Sequence, residues 1–289
     1  MKRLLSVFLI VIVFLGFSFT LEDMLNNENM FVILYESLTK NNGKDGSSWV
    51  SVNGLVYDLS DVKAWASGMH ANGRFKAGKE YTYEIYSISP HGKAIVEKYK
   101  PIGILGFTIE DLKKFNSEKF LISYEGIVYD VTNSKTWKEK IGFNLENKEV
   151  TYFIKEKKYS DFTTWDNVYQ VGILIIPYRD LSMYNGKNGM KAYVAVEGKI
   201  YDVSYSKRWK NGNHLNKHSA GEELTYEIIK FSPHGMKKLD NVFKIGYLVF
   251  QKNENYTIKE NKVFKNGYLI GYCNAPQKIG QKLRNFCKT

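Results

Sequence analysis

The sequence predicts an α+β protein in which three tandem small domains, each a mixed sheet with short helices that form a crevice, follow an N-terminal signal segment. Three observations predict this. A segment with Tyr-Asp and Trp recurs at an interval of 72 residues. The copies alternate apolar and polar residues on both sides of a turn, and an apolar pattern at helical spacing follows. Such a period is too long for a solenoid repeat and suits a small domain that closes its own core.

Residues 1–20 have the layout of a secretory signal. Lys2 and Arg3 precede sixteen uncharged, mostly apolar residues from Leu4 to Phe19, and a small residue, Ser18, fits a cleavage site. A short uncleaved anchor fits the same residues, whereas a bilayer-spanning helix usually needs about 20 apolar residues. We therefore expect an exported protein, extracellular or in the cell envelope.

The internal repeat divides the rest of the chain. GLVYDLSDVKAW, GIVYDVTNSKTW and GKIYDVSYSKRW each begin at the same interval, and their shared aromatic residues are Tyr57, Tyr129 and Tyr201, with Trp65, Trp137 and Trp209. We call these copies the first unit (34–106), the middle unit (107–176) and the third unit (177–250). Residues 251–289 form a basic C-terminal tail.

Each unit is expected to open with a short polar helix and to continue as a β-hairpin. In the third unit, KAYVAV and KIYDVS alternate around Glu197 and Gly198, which predicts a hairpin. Asp202 then stands where a carboxylate can cap the next helical turn. Apolar residues recur at helical spacing over 221–231, which predicts an amphipathic helix. The tail segment 256–272 alternates around Asn-Gly and predicts an extra hairpin.

Charge and cysteine content narrow the partners. The net charge is +11, and eight Lys or Arg against two Glu follow Gln251. This balance fits an acidic ligand or association with an anionic membrane surface, and export argues against nucleic acid. Cys273 and Cys287 lie in the tail, where they either pair in a disulfide or act as separate thiols.

A pair of histidines recurs in two of the three units. His70 and His214 lie five residues after the repeated Trp, and His91 and His234 stand in Pro-His-Gly. The middle unit keeps the scaffold and contains no histidine, so the scaffold does not require the pair. Imidazoles on opposite walls of a cleft are ligands that suit a six-coordinate haem iron. We predict that His70 with His91, and His214 with His234, bind haem iron; the alternative is that each histidine caps a helix or fills a turn.

Three further residues near these histidines are weaker candidates for cofactor contact. His218 has Phe75 as its counterpart in the first unit, which favours a local role. Trp65 and Trp209 stand at the edge of the predicted crevice, where tryptophan more often anchors a core. The chain has no C-x-x-C-H motif, which excludes covalent c-type haem. The cofactor predicted for the histidine pairs is haem b.

The units resemble cytochrome b5-like haem/steroid-binding domains. AYVAVEGKIYDVS, AGEELTYEI, PHG and FKIGYL carry the resemblance, which extends over about residues 34–250 and is strongest in the third unit. It implies a small sheet beside a four-helix crevice with two axial histidines, and His91 and His234 match the second ligand. The His-Pro-Gly-Gly turn that carries the first ligand in classical members is absent, and Trp65 and Trp209 stand near its place.

A related branch of that family, similar to membrane-associated progesterone receptors, binds haem through a tyrosine or serves as a binding module. By this resemblance, Tyr83 and Tyr226 would be the candidate tyrosine ligands. Tyr152 stands at the same place in the middle unit, which has no histidine. We therefore predict that these tyrosines pack against neighbouring residues.

These features predict an exported haem-binding protein that acts in electron transfer or haem handling, with a redox protein as partner. Iron with both axial positions filled has no open site for a substrate. No nucleophile elbow, phosphate loop or zinc motif stands out, so an enzyme is not expected. The middle unit would be a spacer. The alternative is a non-catalytic module that binds a steroid-like apolar small molecule or a partner protein.

Overall fold

The computed structural model describes residues 21–26, 30–90, 92, 96, 98–115, 119–251 and 256–274. The predicted signal segment, His91 and Cys287 lie outside the described residues, so the cleavage site, the first histidine pair and the cysteine pairing stay predictions. Cys273 is buried. No helix in the described ranges has the length and apolar character needed to cross a bilayer.

The chain forms a mixed α/β structure with one large sheet and short helices. The described strands are β1 (Phe31–Leu34), β2 (Trp49–Val52), β3 (Leu55–Asp58), β4 (Met69–His70), β5 (Phe75–Lys76), β6 (Lys79–Glu80), β7 (Gly103–Phe107), β8 (Leu121–Tyr124), β9 (Ile127–Asp130), β10 (Lys148–Glu149), β11 (Tyr169–Pro177), β12 (Tyr193–Val196), β13 (Lys199–Asp202), β14 (Asn213–His214), β15 (His218–Ser219), β16 (Phe243–Phe250), β17 (Thr257–Lys259), β18 (Lys262–Lys265) and β19 (Tyr268–Cys273). The described α-helices are α1 (Leu21–Leu25), α2 (Tyr35–Lys40), α3 (Ile109–Lys113), α4 (Lys135–Lys140), α5 (Thr151–Lys157), α6 (Tyr178–Leu181) and α7 (Thr225–Phe231). Short 3₁₀ helices span Lys63–Trp65, Phe143–Leu145, Ser160–Thr164, Lys210–Gly212 and Gly235–Asn241, and a π-helical turn spans Glu84–Ile88.

Parallel strands from all three units form the centre of the molecule. β1 pairs with β7, β7 with β11, β11 with β16, and β16 with β19, each in parallel. A parallel bridge between Val32 and Asn274 then joins the last strand to the first, so the strands close into a ring. Successive side chains of a strand point to opposite faces, and the ring strands accordingly supply alternate residues to two buried clusters.

The predicted hairpins and helices are present. β12 and β13 pair antiparallel around Glu197 and Gly198, both of which have positive φ. The Asp202 carboxylate accepts a hydrogen bond from the Ser204 N–H at 2.8 Å, but it closes a turn and does not cap a helix, because the next helical segment begins at Lys210. The helix predicted over 221–231 begins later, at Thr225, and ends at Phe231. In the tail, β18 and β19 form the expected hairpin, and β19 extends the sheet of the third unit.

The units are joined more closely than separate domains with minimal linkers would be. The last strand of each unit is β7, β11 or β16. It pairs with the hairpin of its own unit, as β11 does with β9, and also pairs within the ring. β11 also runs directly into the next unit, where it pairs with β16. Within the described residues one sheet therefore contains strands of every unit, and one hydrophobic cluster contains side chains of all three.

Helix α1 contacts the third unit and the tail segment. Leu21 and Leu25 are buried in the same cluster as alternate ring residues. The Glu22 carboxylate lies 3.0 Å from Lys199 Nζ and 2.5 Å from Lys244 Nζ in the third unit. In the tail, the buried Asn261 amide donates to the carbonyl oxygen of Leu25. Helix α1 therefore ties the start of the described chain to the third unit and the tail.

Three equivalent tyrosines pack between neighbouring segments. Tyr83 lies 6.3 Å from Tyr169, Tyr152 lies 5.9 Å from Phe243, and Tyr226 lies 6.0 Å from Tyr268, measured between ring centroids. Each partner stands three residues before a Gly of the ring strands β11, β16 and β19. These contacts confirm that the tyrosines pack.

Charged side chains also connect the units. Lys119 of the middle unit lies 2.7 Å from the Glu80 carboxylate of the first unit and 3.4 Å from Asp130. At the next junction, the Glu149 carboxylate accepts from the Thr151 N–H at 2.7 Å and faces Asp202 and Lys191 of the third unit. Burial, with a smaller contribution from Asp202, raises the pKa of Glu149 to about 7, against the opposing effects of Thr151 and Lys191.

Glu149→Gln is expected to remove a pH dependence of stability. Between about pH 4.5 and 7 the folded chain keeps a proton on Glu149 that the unfolded chain has released. The free energy of unfolding therefore falls as the pH rises through this window. Above the window Glu149 lowers it no further. Denaturant unfolding should show Glu149→Gln to be more stable than the wild type by about 1–3 kcal/mol at pH 8 and nearly equal at pH 4.5. Glu156→Gln, exposed on the following helix α5, is the control. Equal differences at the two pH values would contradict the prediction.

Candidate functional site

A crevice of about 630 Å³ opens in the third unit beside α7. Its volume lies within the range of about 300–1,000 Å³ that is usual for cofactor pockets. The apolar side chains of its walls come from the hairpin, α7 and the last 3₁₀ helix, and they are Val194, Val203, Leu224, Ile228, Leu239 and Val242. All three histidines of the third unit, His214, His218 and His234, also line it.

His214 is placed by a tight turn instead of a helix. It ends β14, which pairs antiparallel with β15 so that His214 faces His218 across the ladder. Leu215 and Asn216 between them have φ of 54° and 58°, in the left-handed region that α-helices do not use. Gly212, just before the ladder, has φ of 74°, and a Cβ there would lie 1.8 Å from the Asn185 carbonyl oxygen. The four-helix crevice that the resemblance implies is therefore modified here, because this backbone cannot continue as a helix.

The His214 imidazole lies against the indole of Trp209. The ring centroids are 4.9 Å apart and the planes differ by 24°. The His218 ring lies on the other strand, 6.3 Å away. Burial first, and then the charges of His218 and Arg208, lower the pKa of His214. A lower pKa favours the neutral imidazole, which is the form that binds metals.

His234 approaches the same crevice from the far end of α7. It directly precedes the 3₁₀ helix Gly235–Asn241, and its N–H donates to Ser232 Oγ at 3.3 Å. Its side chain is exposed, whereas that of His214 is partly buried. The structure thus brings the predicted pair to one cavity, from segments that precede and follow α7.

The crevice lining carries excess positive charge. Its cations are Lys207, Arg208, Lys217 and Lys238, and Glu227 is the acidic residue described there. Two large apolar side chains also lie in the lining with most of their surface exposed, Leu215 at 63% and Phe231 at 69%. An anionic ligand with an apolar body matches this combination of walls and charges.

The first unit has a smaller crevice, of about 420 Å³. His70 lines it and stacks on Trp65, with ring centroids 5.2 Å apart and planes 16° apart. Its Nδ1 lies 3.4 Å from the carbonyl oxygen of Ala64. His91, the predicted partner, is outside the described residues, but the preceding Pro90 lines the crevice.

Aromatic rings narrow this first crevice. Phe75, the counterpart of His218, packs edge-on against Tyr81 at 5.2 Å. Arg74 lies over the Phe75 ring at 5.7 Å. The described lining is otherwise mostly aliphatic or aromatic. The two crevices therefore share the Trp and His arrangement but differ in volume and charge.

Aromatic side chains fill the corresponding space in the middle unit. Phe162 has no exposed surface, and its ring packs edge-on against Tyr124, Tyr129 and Trp137 at 5.3, 5.1 and 5.6 Å. Trp137 is 1% exposed, whereas Trp65 and Trp209 are partly exposed. Sequence reasoning noticed the missing histidines here and missed Phe162. The signal available in the sequence was that Phe162 stands where the third unit has Met236.

The comparisons with known proteins agree on one family. Residues 177–274 match the family model described as cytochrome b5-like haem/steroid-binding domain. A cytochrome b5 domain protein from Hadesarchaea is 43% identical over 26% of this chain and 96% of its own, with a TM-score of 0.25. One from Methanococcoides burtonii is 36% identical over 26% of this chain and 95% of its own, also with a TM-score of 0.25. The comparison with curated proteins gives no match.

The matched region contains α7, the ladder β14–β15, the whole crevice of the third unit and the tail hairpin. It thus includes both His214 and His234. Through residues 177–274 the chain belongs to the cytochrome b5-like haem/steroid-binding domain family.

Proposed function

We propose that the third unit binds haem b between His214 and His234, and that the protein acts in electron transfer or haem handling and not in catalysis. One observation carries the proposal. Both histidines line the same apolar crevice, on segments that lie before and after α7. Two imidazoles on different walls of one cavity are suited to the two faces of a planar macrocycle.

The residues of the crevice fit this group. The aliphatic walls exclude water, and the lowered pKa of His214 favours the neutral ligand form. The cations of the lining can pair with carboxylates, and such charge-assisted contacts are strong. When bound, haem supplies a reversible one-electron change at its iron. The protein's own part is to hold two imidazoles, a dry cavity and nearby cations in place.

The other two units support a tandem arrangement. In the first unit, His70 stacks on Trp65 as His214 does on Trp209, which favours a second haem site completed by His91. In the middle unit, Phe162 and its neighbours fill the space, which favours a spacer. The layout of residues 1–20 supports export to the cell envelope, where a separate redox protein would be the partner.

A second candidate function is the binding of a neutral apolar ligand, and the first crevice favours it. Its described lining is mainly apolar and includes Phe75 and Tyr81, and its volume is about 420 Å³. A steroid-like molecule or an apolar segment of a partner protein would bury this surface without any ligand from His70. The third crevice, with four cations in its lining, fits such a ligand less well.

Absorption spectroscopy of the full-length chain during a haem titration tests the proposal. The full chain is needed because β16 of the third unit pairs with β11 and β19 on either side. We expect a low-spin six-coordinate spectrum in both oxidation states, which saturates at two haems per chain if the first and third units both bind. Saturation at one would assign haem to a single unit. A titration that gives no low-spin species would contradict haem ligation by two histidines.

A further inference from the structure

An indole ring lies nearly flat against the first histidine of both crevices. The Trp209 and His214 centroids are 4.9 Å apart at 24°, and those of Trp65 and His70 are 5.2 Å apart at 16°. The intervening loops differ, since Ser-Gly-Met lies close to His70 and Asn-Gly-Asn lies close to His214. The contact is therefore kept while the loop sequence around it changes.

The middle unit shows what the same tryptophan does without a histidine. Trp137 is 1% exposed and packs edge-on against Phe162, with ring planes 69° apart. Trp65 and Trp209 instead stay partly exposed and turn a face toward an imidazole. Trp137 is a buried member of its core cluster, whereas Trp65 and Trp209 only border theirs and keep one face for the imidazole.

The backbone alone does not fix the orientation of the His214 ring. β14 has two residues, and Leu215 and Asn216 follow it in left-handed turn conformations. The contacts described for the imidazole are the indole of Trp209 and the ring of His218. An imidazole on so short a ladder can rotate about its side-chain bonds unless a neighbour restrains it. A metal-ligating histidine needs a fixed ring orientation, which a hydrogen bond to its other ring nitrogen usually supplies. Among the described residues the His214 ring has stacking contacts instead, so the indole is the neighbour that can restrain it.

We infer that Trp209 is a positioning residue, whose indole face holds the His214 imidazole in the orientation that iron ligation requires. The inference rests on the proposed haem function of the third unit and adds the group that orients its first ligand. Trp209 has no atom that ligates iron in this arrangement; it acts through His214. Its face restricts rotation of the ring, so less freedom is lost when the ligand binds.

The test uses the full-length chain with His70→Ala and His91→Ala, so that only the third unit can supply a histidine pair. Trp209→Phe keeps an aromatic face, and Trp209→Leu keeps apolar volume without one. We expect Trp209→Leu to raise the Kd for haem by about 3- to 10-fold and to increase the high-spin five-coordinate fraction. Trp209→Phe should keep the Kd for haem and the high-spin fraction close to those of the parent chain. Trp165→Leu, a partly exposed tryptophan of the middle unit, should change neither.

A measurement on the haem-free protein separates orientation from general damage. The His214 ring protons should show upfield ring-current shifts in the NMR spectrum, lost in Trp209→Leu and largely kept in Trp209→Phe. Haem binding that depends on His214 but is unchanged in Trp209→Leu would overturn the inference and leave the proposed function standing. A parent chain that forms no low-spin complex would overturn both.

Discussion

His234→Ala should abolish low-spin haem uptake by the third unit. In a full-length chain that also lacks His70 and His91, the Kd for haem is expected to rise by about 100-fold or more, because loss of a supporting neighbour of a metal ligand alone costs about 10- to 100-fold. The residual complex should be high-spin and five-coordinate, held through His214. Absorption and resonance Raman spectra during a haem titration measure both the affinity and the coordination number.

Matched variants identify the opposite ligand. His214→Ala should have an effect comparable to that of His234→Ala, whereas His218→Ala should keep the low-spin spectrum. The basis is that His214 stacks on Trp209, as His70 stacks on Trp65. His218 lines the same crevice, but its counterpart is Phe75. Retention of the spectrum in His214→Ala and its loss in His218→Ala would move the ligand to the other strand of the ladder.

The same variants separate the two candidate functions. A neutral apolar ligand gains its affinity from the aliphatic walls of the crevice, which these substitutions leave in place. Binding of an apolar fluorescent probe should therefore be nearly unaffected by His234→Ala. A chain in which neither histidine changes haem uptake, while the probe binds tightly, would favour the apolar-ligand function.

Local structure could be predicted well from the sequence because its causes are local. The turn at Glu197 and Gly198 and the hydrogen bond that Asp202 accepts from Ser204 depend on residues a few positions apart. Comparison of the repeats was equally informative about the histidine pair, since it showed which residues the scaffold can lose. His214 and His234 were assigned to one crevice on that basis, and the structure places both there.

The joining of the units could not be predicted in the same way. Closure of the ring depends on a bridge between Val32 and Asn274, which are more than two hundred residues apart. Nothing in the alternation of either strand specifies its partner, because many apolar strands satisfy the same pattern. The packing of helix α1 against the third unit and the tail likewise depends on Glu22 and Leu25 meeting distant side chains.

The stacking of His214 on Trp209 could not be predicted from their spacing in the sequence. The two are five positions apart in sequence, and a regular helix or strand would not stack their rings face to face. The turn that brings them together depends on Gly212, where any Cβ would collide with Asn185. A glycine in a polar loop is too common a feature to have indicated this geometry.

Phe162→Ala in the middle unit should destabilise the protein by about 3–5 kcal/mol, which is the usual cost of truncating a buried phenylalanine. Phe162 has no exposed surface, and its ring packs against four other aromatic side chains, Tyr124, Tyr129, Trp137 and Trp165. Tyr124 and Tyr129 lie on strands of the shared sheet and Trp137 on helix α4, so these neighbours can collapse only partly into the space. Chemical denaturation monitored by circular dichroism measures the loss. Phe231→Ala, 69% exposed in the third unit, should cost less than about 0.5 kcal/mol and serves as the control.

Phe162→Ala also tests why the middle unit would not bind haem. The two alternatives are that aromatic side chains fill its space or that it lacks histidine ligands. The cavity left by Phe162 has no histidine on either wall, since Gly142 and Ser160 stand at the two positions. Space without ligands should not give a low-spin haem complex, so the haem stoichiometry of Phe162→Ala should equal that of the wild type under conditions where both are folded. An additional low-spin haem would show that volume alone limits the middle unit. An unchanged stoichiometry, together with the loss of stability, would mean that its aromatic side chains stabilise a unit that no longer has ligands to offer.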